Sequence, residues 1–388
     1  MRRRAVGLVV FVVSSVFFLA IGELLLWLYL PANYYVWPPN FRRTFRPSPD
    51  VIHGVSSPSQ LTINEFGFRG DPLSDDEQYR LLTIGASTTI CVYLDDSKAW
   101  PYVLQGRLNE ELGPGTVWVG NAGRPGHSTP QHVLQVEKLL EQYQEIDAVV
   151  LLAGINDLLI NLSATIDAPP VLDEGPNGAL RRAFSVFPDW DADSPWYARN
   201  VIGRVARLGT WSPLPLKRDG VFAMDEKADF VKMIRAYRAA ASSFRRTAPD
   251  LTVDLARYVR NVNAIVDRAE RAGRRVIFLT QPTLWKPGML PQERALLWGG
   301  GTNFFHAGPG KEYYTAEVLG ETMKLYNDAL REVCRKRGVE CVNVADMLPK
   351  TKQVFYDDAH FTEYGAGMVA ERLAEYLLAN EPLRQVRP

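Results

Sequence analysis

Short apolar runs alternate with amphipathic segments along most of the chain. Five runs have the continuous apolar character of buried strands: YRLLTI (79–84), VWVGN (117–121), AVVLLA (148–153), RVIFLT (275–280) and VECVNV (339–344). Four segments between or beside them repeat apolar residues at helical spacing, at 99–112, 130–143, 261–273 and 319–338. This alternation is typical of a parallel sheet covered on both faces. We therefore predict an α/β fold with three layers, α/β/α, around a central, mostly parallel sheet of five strands.

The N-terminus has a different pattern. Three arginines, Arg2 to Arg4, precede an apolar run from Ala5 to Leu30 that only small residues and Glu23 interrupt. A helix of this length could cross a hydrocarbon layer of about 30 Å, whereas the apolar core of a signal peptide has about 7–15 residues. We expect residues 5–30 to form an uncleaved transmembrane helix, with a cleaved signal peptide or a buried core helix as the competing interpretations.

The positive charge of this terminus also predicts an orientation. Arginines beside a membrane span favour the cytoplasmic side. The N-terminus is then cytoplasmic, and the rest of the chain lies in the periplasm or outside the cell.

Three further boundaries follow from composition. Residues 31–50 are rich in Pro, Arg and aromatic residues, as in an extended linker, and we assign 31–75 to a juxtamembrane linker and lead-in. The main α/β domain is expected at 76–380. Within it, residues 161–250 interrupt the alternation of strands and helices, and this insertion is either a lid or a subdomain that packs its own aromatic side chains. Those aromatic residues are Phe184, Phe187, Trp190, Trp196 and Trp211.

Charge and cysteine content exclude some classes of function. The chain has 388 residues, 44 Lys and Arg against 44 Asp and Glu, and no extended basic block, which argues against nucleic-acid binding. The three cysteines lack C-x-x-C spacing and the five histidines lack ligand spacing, so no metal or organic cofactor is expected. Cys334 and Cys341 could form a disulfide in an oxidising compartment or remain buried free thiols.

Four short segments place polar residues where an open α/β sheet binds ligands, at the carboxyl ends of strands. They are Gly85-Ala86-Ser87-Thr88, Asn121-Ala122-Gly123-Arg124-Pro125-Gly126-His127, Ala153-Gly154-Ile155-Asn156-Asp157 and Phe355-Tyr356-Asp357-Asp358-Ala359-His360-Phe361-Thr362. Each has an ordinary explanation when it is taken alone. Serine, asparagine, aspartate and threonine are favoured helix caps, and most glycine-rich turns are only turns.

Together the segments predict more than they do separately. Asp357 and His360 are three residues apart, so the carboxylate can reach one imidazole nitrogen while the other faces a substrate. A serine beside such a pair, with hydrogen-bond donors for an oxyanion, is the set of groups that acyl transfer requires. Ser87 and Asn156 supply the missing residue types.

These four segments resemble the blocks of the SGNH, or GDSL-type, hydrolases over residues 79 to 378, the insertion excepted. The resemblance implies Ser87 as nucleophile, His360 as general base and acid, and Asp357 as its orienting partner. It also implies an oxyanion hole formed by the backbone N–H groups of Ser87 and Gly126 and by the side chain of Asn156. One departure is Ala86, which stands where the family usually has aspartate and leaves the local support of the Ser87 turn open. A further similarity is TINEFGFRGD (62–71), which resembles the lead-in of membrane-anchored bacterial members.

The resemblance implies a serine esterase or acyl hydrolase. Its expected substrate is an O-acetyl or other short acyl ester on an envelope carbohydrate or lipid. Two alternatives stay open: an O-acyltransferase with the same triad, and a catalytically silent envelope binding or scaffold protein. Closure of the insertion and of the loop GGGTNFFHAG (299–308) over Ser87, which would exclude water, is a candidate discriminator for the transferase.

Overall fold

The central sheet has five strands, all paired in parallel. The structure, a computed structural model, describes residues 2–29, 33–74, 76–163, 175–185, 225–302 and 309–383. The strands are β3 (Tyr79–Gly85), β4 (Val117–Asn121), β5 (Ala148–Leu152), β7 (Arg275–Leu279) and β9 (Glu340–Val342). Their spatial order is β4-β3-β5-β7-β9. The strands β6 (Ser243–Arg245) and β8 (Glu312–Tyr314) pair with each other in a separate small sheet. The five predicted apolar runs therefore form one sheet, which confirms the α/β prediction.

Helices cover both faces of this sheet and complete the three layers. On one face α3 (Trp100–Leu112) packs against α12 (Glu363–Ala379), and on the other α4 (Thr129–Gln142) packs against α8 (Thr252–Arg271), which also contacts α10 (Ala316–Arg337). The remaining described helices outside the N-terminus are α2 (Ser87–Ile90), α5 (Ile155–Ser163), α6 (Gly175–Ala183), α7 (Asp229–Ala239), α9 (Pro291–Arg294) and α11 (Val344–Met347). β4 and β5 are buried throughout, as two covered faces require.

Local sequence explains where the longer helices begin and end. The Thr315 hydroxyl accepts from the Val318 N–H at the start of α10, and Gly338 ends that helix in the left-handed conformation. Helix α8 begins at Thr252, before the predicted start at residue 261, because Tyr258 extends its buried face.

The prediction of an extended linker is wrong for the residues that follow residue 32, because they pack against the α/β domain. Val36 and Trp37 are fully buried, and the Trp37 indole N–H donates to the Gly123 carbonyl over 2.7 Å. Strand β1 (Arg42–Phe45) pairs antiparallel with β2 (Ser59–Thr62). The aromatic residues that suggested an extended juxtamembrane segment instead bury apolar surface against the α/β domain. The other predicted domain boundaries stay predictions.

Residues Arg2–Tyr29 form one helix, α1. Several of its apolar side chains are exposed, including Phe11 and Phe18. Within the described ranges, no helix has both the length and the apolar character needed to cross a membrane. The predicted helix is therefore present, but the structure does not identify it as a transmembrane helix.

The insertion is described only in part. Helix α6 packs against α4, and Phe184, at the end of α6, is buried. Helix α7 lies at its other end. The predicted aromatic residues Phe187, Trp190, Trp196 and Trp211 lie outside the described residues, as do residues 303–308 of the loop GGGTNFFHAG. The three cysteines, Cys91, Cys334 and Cys341, are free.

Candidate active site

One cavity at the carboxyl ends of the strands collects all the predicted site residues. Its wall includes Ser87, Gly126, Asn156, Asp357 and His360. Apolar side chains from the turn after α2, from α5 and from α7 complete it: Val92, Tyr93, Ile155, Leu159, Phe230, Val231 and Ile234. Residues far apart in sequence therefore meet at one place, as the strand order requires. The cavity is small, with a volume of about 80 Å³.

Ser87 lies at a tight strand-to-helix turn. Strand β3 ends at Gly85 and α2 begins with Ser87. A Cβ atom on Gly85 would lie 2.1 Å from Thr89 Oγ1 and 2.7 Å from the Leu152 carbonyl oxygen, so only glycine fits there. The turn thus presents Ser87 at the end of the strand, with its side chain on the cavity.

Arg69, which the sequence analysis did not single out, supports this turn from the lead-in segment. Its Nη1 donates to the carbonyls of Ile90 and Cys91 over 2.5 and 2.9 Å, at the end of α2. Its Nη2 donates to Leu94 O over 2.6 Å, and its Nε pairs with Asp96 over 2.8 Å. Arg69 is 2% exposed. The only sequence signal was its place in TINEFGFRGD.

The glycine-rich turn after β4 contacts the Ser87 turn. Asn121 Nδ2 donates to Thr89 O over 2.9 Å, while its Oδ1 accepts from the Gly123 N–H. Gly126 has φ +80°, the left-handed region that favours glycine. Neither the Gly126 N–H nor the Ser87 N–H donates to another described residue. Two backbone donors are thus available at the cavity wall.

Asn156 contributes a side-chain donor from the start of α5. It is 5% exposed, and its Nδ2 donates to the His127 carbonyl over 2.7 Å. An amide nitrogen carries two hydrogens, so this bond fixes the side chain and leaves one donor. The neighbouring Asp157 accepts from the Thr129 N–H and hydroxyl, and burial raises the pKa of its carboxyl to about 6.

Asp357 and His360 form a hydrogen-bonded pair. His360 Nδ1 lies 2.8 Å from Asp357 Oδ2 and 2.9 Å from Oδ1. Oδ1 also accepts from the backbone N–H groups of Ala359 and His360, which fixes the carboxylate relative to the imidazole. With Nδ1 as the donor to the carboxylate, Nε2 is the nitrogen left for a substrate or for Ser87. Thr362 caps α12 by accepting from Gly365 N, so helix capping and a cavity-facing His360 occur together.

The pair shifts both pKa values in the direction that a base and its orienting carboxylate need. Burial alone lowers the pKa of His360, but the charge and hydrogen bond of Asp357 outweigh it, and the pKa is raised above its ordinary value. Burial opposes ionisation of Asp357, but the His360 imidazole and the Arg235 charge prevail, and the pKa of Asp357 is lowered.

Two tryptophans that the sequence analysis missed hold the acidic pair Asp357 and Asp358. Trp298 Nε1 donates to Asp357 Oδ2 over 3.0 Å, and Trp285 Nε1 donates to Asp358 Oδ1 over 2.7 Å. Asp358 also accepts from the Trp298 N–H, and burial raises the pKa of its carboxyl. Nothing in the residues around either tryptophan signals these bonds, because they form between distant segments. Over the ranges that the structure covers, no cluster of His, Cys, Asp or Glu could hold a metal ion.

One protein family matches most of this chain. The family model described as GDSL-like Lipase/Acylhydrolase family matches residues 82–367. No curated protein matches the chain. Two similar solved structures are LAE5, an alpha/beta hydrolase enzyme from the metagenome of Lake Arreo, Spain, and Axe2, an acetylxylan esterase from Geobacillus stearothermophilus. The first is 14% identical and covers 78% of this chain and 95% of its own, with a TM-score of 0.40. The second is 12% identical, with the same coverage and TM-score.

Proposed function

Since the chain belongs to the GDSL-like lipase/acylhydrolase family, whose members are carboxylic ester hydrolases, we propose that it cleaves an O-acetyl or other short acyl ester through Ser87, His360 and Asp357. The observation that carries this proposal is the hydrogen-bonded pair of His360 and Asp357 on the same cavity as Ser87. A serine, a base held by a carboxylate and free oxyanion donors are the groups that ester cleavage uses.

In the proposed reaction, His360 Nε2 takes the proton of the Ser87 hydroxyl while Oγ attacks the ester carbonyl carbon. The oxyanion accepts hydrogen bonds from the N–H groups of Ser87 and Gly126 and from Asn156. The C–O bond to the alcohol then breaks, and the alcohol leaves with the proton from His360. Water, activated by His360 in turn, attacks the acyl-serine and releases the acid, which restores Ser87.

The cavity wall favours a small apolar acyl group. Side chains from α5 and α7, among them Leu159 and Ile234, face the space beside Ser87 and are 5% and 3% exposed. These side chains offer van der Waals contact to an alkyl group and no polar partner. The alcohol part of the ester, an envelope carbohydrate or lipid in this proposal, lies towards the open side of the cavity.

The direct test compares the wild-type chain with Ser87→Ala, using p-nitrophenyl acetate and esters of longer acids. We expect measurable hydrolysis by the wild type and loss of at least about 10³-fold in the variant. Ser97→Ala, which removes an exposed hydroxyl from a neighbouring turn, is the matched control and keeps full activity. Equal activity in Ser87→Ala would exclude the serine mechanism.

The same assay separates the alternatives. In a transferase, Ser87 reacts with a fluorophosphonate probe, but the acyl group is transferred to a sugar hydroxyl faster than it is released as the acid. A folded wild type that neither reacts with the probe nor turns over esters is a binding or scaffold protein.

The envelope location is part of this proposal and rests on the sequence of residues 1–30. Arg2 to Arg4 precede the apolar run. The exposed apolar side chains of α1, such as Phe11, could contact the apolar part of a membrane. Reporter fusions after residue 40 test the orientation: an alkaline phosphatase fusion is active only if that point lies outside the cytoplasm.

A further inference from the structure

An open groove rich in arginine lies on the side of helix α7 away from the candidate active site. Arg235, Arg238, Arg246 and Arg294 line it, with Glu317 as the one acidic residue on its wall. The groove is open to solvent and has a volume of about 890 Å³. Of its lining residues, Arg235 bears on the proposed ester chemistry through its charge on Asp357, and Arg246 and Arg294 have no part in it.

Two of the arginines are anchored to the backbone rather than to carboxylates. Arg238 is 5% exposed and donates to the carbonyls of Gly299 and Tyr314. Arg235 donates to the carbonyls of Leu296, over 3.0 Å, and Tyr356, over 2.6 Å. Within the described part of the chain neither forms a salt bridge. Their charges act partly on the buried carboxylates of Asp357 and Asp358, and their fixed positions give the groove a rigid, basic wall.

The other two arginines are exposed at the groove. Arg294 is 60% exposed and only approaches Glu317, with 3.9 Å between Nη2 and Oε1. Arg246 is exposed and makes no ion pair with a described residue. Arginine presents a planar fork that matches a carboxylate or phosphate in a two-point hydrogen bond. These two exposed arginines, with Glu317 as the acidic residue on the wall, give the open side of the groove a net positive charge.

An aromatic ring lies among these charges. Phe244 is 46% exposed, and the guanidinium carbon of Arg238 is 5.3 Å from its ring centroid. An exposed aromatic ring with arginines beside it can bind a ligand that has both an apolar face and a negative charge. A sugar ring with a carboxylate has both, because its C–H groups form an apolar face.

We propose that this groove binds a segment of an acidic oligosaccharide, with carboxylates on the arginines and a sugar face on Phe244. The size of the groove favours several linked sugar units over a single phosphate or lipid headgroup. This site goes beyond the proposed esterase function and does not depend on it, since binding requires no turnover. Helix α7 forms a wall of both sites: Ile234 faces the catalytic cavity while Arg235 and Arg238 face the groove.

The test measures binding of fluorescent hexagalacturonate to the full chain in a non-ionic detergent, on a Ser87→Ala background so that catalysis plays no part. We expect the double variant Arg246→Ala/Arg294→Ala to bind at least tenfold more weakly, with a shallower dependence on salt concentration. Phe244→Ala should also weaken binding severalfold. The matched control is Arg271→Ala/Arg372→Ala, which removes one exposed and one half-buried arginine from other surfaces and leaves binding unchanged.

Three outcomes would overturn the proposal. The first is binding that the groove variants do not weaken more than the control pair. The second is equal binding of the methyl-esterified hexamer, which has no carboxylates. The third is binding to vesicles containing phosphatidylglycerol that depends on Arg246 and Arg294 without binding of the hexamer, which would assign the groove to lipid headgroups. Because both exposed arginines lie at the surface, thermal unfolding should show that the variants are folded.

Discussion

The indole N–H of Trp298 donates to Oδ2 of Asp357 over 3.0 Å, on the carboxylate whose oxygens lie 2.8 and 2.9 Å from His360 Nδ1. The Trp298 ring also lies near the His360 ring, with 6.4 Å between centroids and 21° between planes. One side chain from the loop before β8 (Glu312–Tyr314) thus holds both members of the pair. We expect its role to be the positioning of Asp357.

Trp298→Phe should lower kcat/KM by about tenfold, because the ring is kept while one hydrogen bond to a buried carboxylate, worth about 1.5–3 kcal/mol, is lost. KM should change little, since the ring still lines the cavity. Steady-state kinetics on a p-nitrophenyl ester measures both constants.

Trp285→Phe is the matched control, because it removes an equivalent indole bond from Asp358 rather than from Asp357. It should lower the free energy of unfolding by a similar amount but leave kcat/KM within about twofold. Equal losses of activity in the two variants would mean that Trp298 acts through folding alone.

The acid limb of the pH profile should report His360. The imidazole must be neutral to take the Ser87 proton, so kcat/KM rises with pH through its raised pKa, above the ordinary 6.5. In Asp357→Asn the charge that raises this pKa is gone while burial remains. The limb should then move to lower pH, with kcat/KM reduced by about 10²–10⁴-fold. Asp346→Asn, an exposed change, should leave the profile in place.

The same pair makes two stabilising contributions, which depend on pH in opposite directions. The raised pKa of His360 stabilises the fold below about pH 6.5, and this contribution is lost as pH rises through the folded value. The lowered pKa of Asp357 stabilises the fold above its ordinary 3.8, and that contribution is lost as pH falls through the folded value. Urea unfolding of the wild type and Asp357→Asn at pH 3, 5 and 8 checks both signs: the difference between them should be greatest at pH 5.

Arg69→Lys should impair the Ser87 turn more than it impairs the fold. Lysine keeps the charge but cannot reach the carbonyls of Ile90, Cys91 and Leu94 together. We expect kcat/KM to fall about tenfold or more. Arg275→Lys is the control, because it also breaks a forked contact, to Glu340, but at the opposite end of the sheet. If both variants lose stability and only Arg69→Lys loses activity, Arg69 supplies the support that Ala86 does not.

Removal of the residues before Pro38 should destabilise the domain. Such a chain lacks Val36 and Trp37, both fully buried, and the bond from Trp37 to Gly123. Loss of a buried tryptophan typically costs about 3–5 kcal/mol. A chain that begins at Asn33 keeps these contacts and is the control. Urea unfolding followed by circular dichroism compares the two, and equal midpoints would show that the segment adds nothing to the fold.

The sequence predicted the sheet because its strands are buried on both faces and so appear as continuous apolar runs, as in AVVLLA around β5. It also predicted that Ser87, Asn156 and His360 would meet, since strand ends gather at one edge. The packing of Trp37 was missed because its partner, Gly123, lies 86 residues away. Arg69 and Trp298 were missed for a related reason: their bonds go to backbone carbonyls and to a distant carboxylate, which leave no pattern along the chain. The roles of the site residues stay predictions.

Ile234 should set the length of acyl chain that the enzyme accepts. It is 3% exposed, lies on α7 and faces the cavity beside Ser87. Ile234→Ala removes three carbons from that wall, and each methylene accommodated in an apolar pocket is worth about 1–3 kcal/mol in discrimination. The ratio of kcat/KM for octanoate to that for acetate should therefore rise at least about tenfold. Ile265→Ala, in the buried face of α8, costs comparable stability and should leave the ratio unchanged. A shift in both variants would trace the change to general loosening, and a shift in neither would mean that the acyl group lies elsewhere in the cavity.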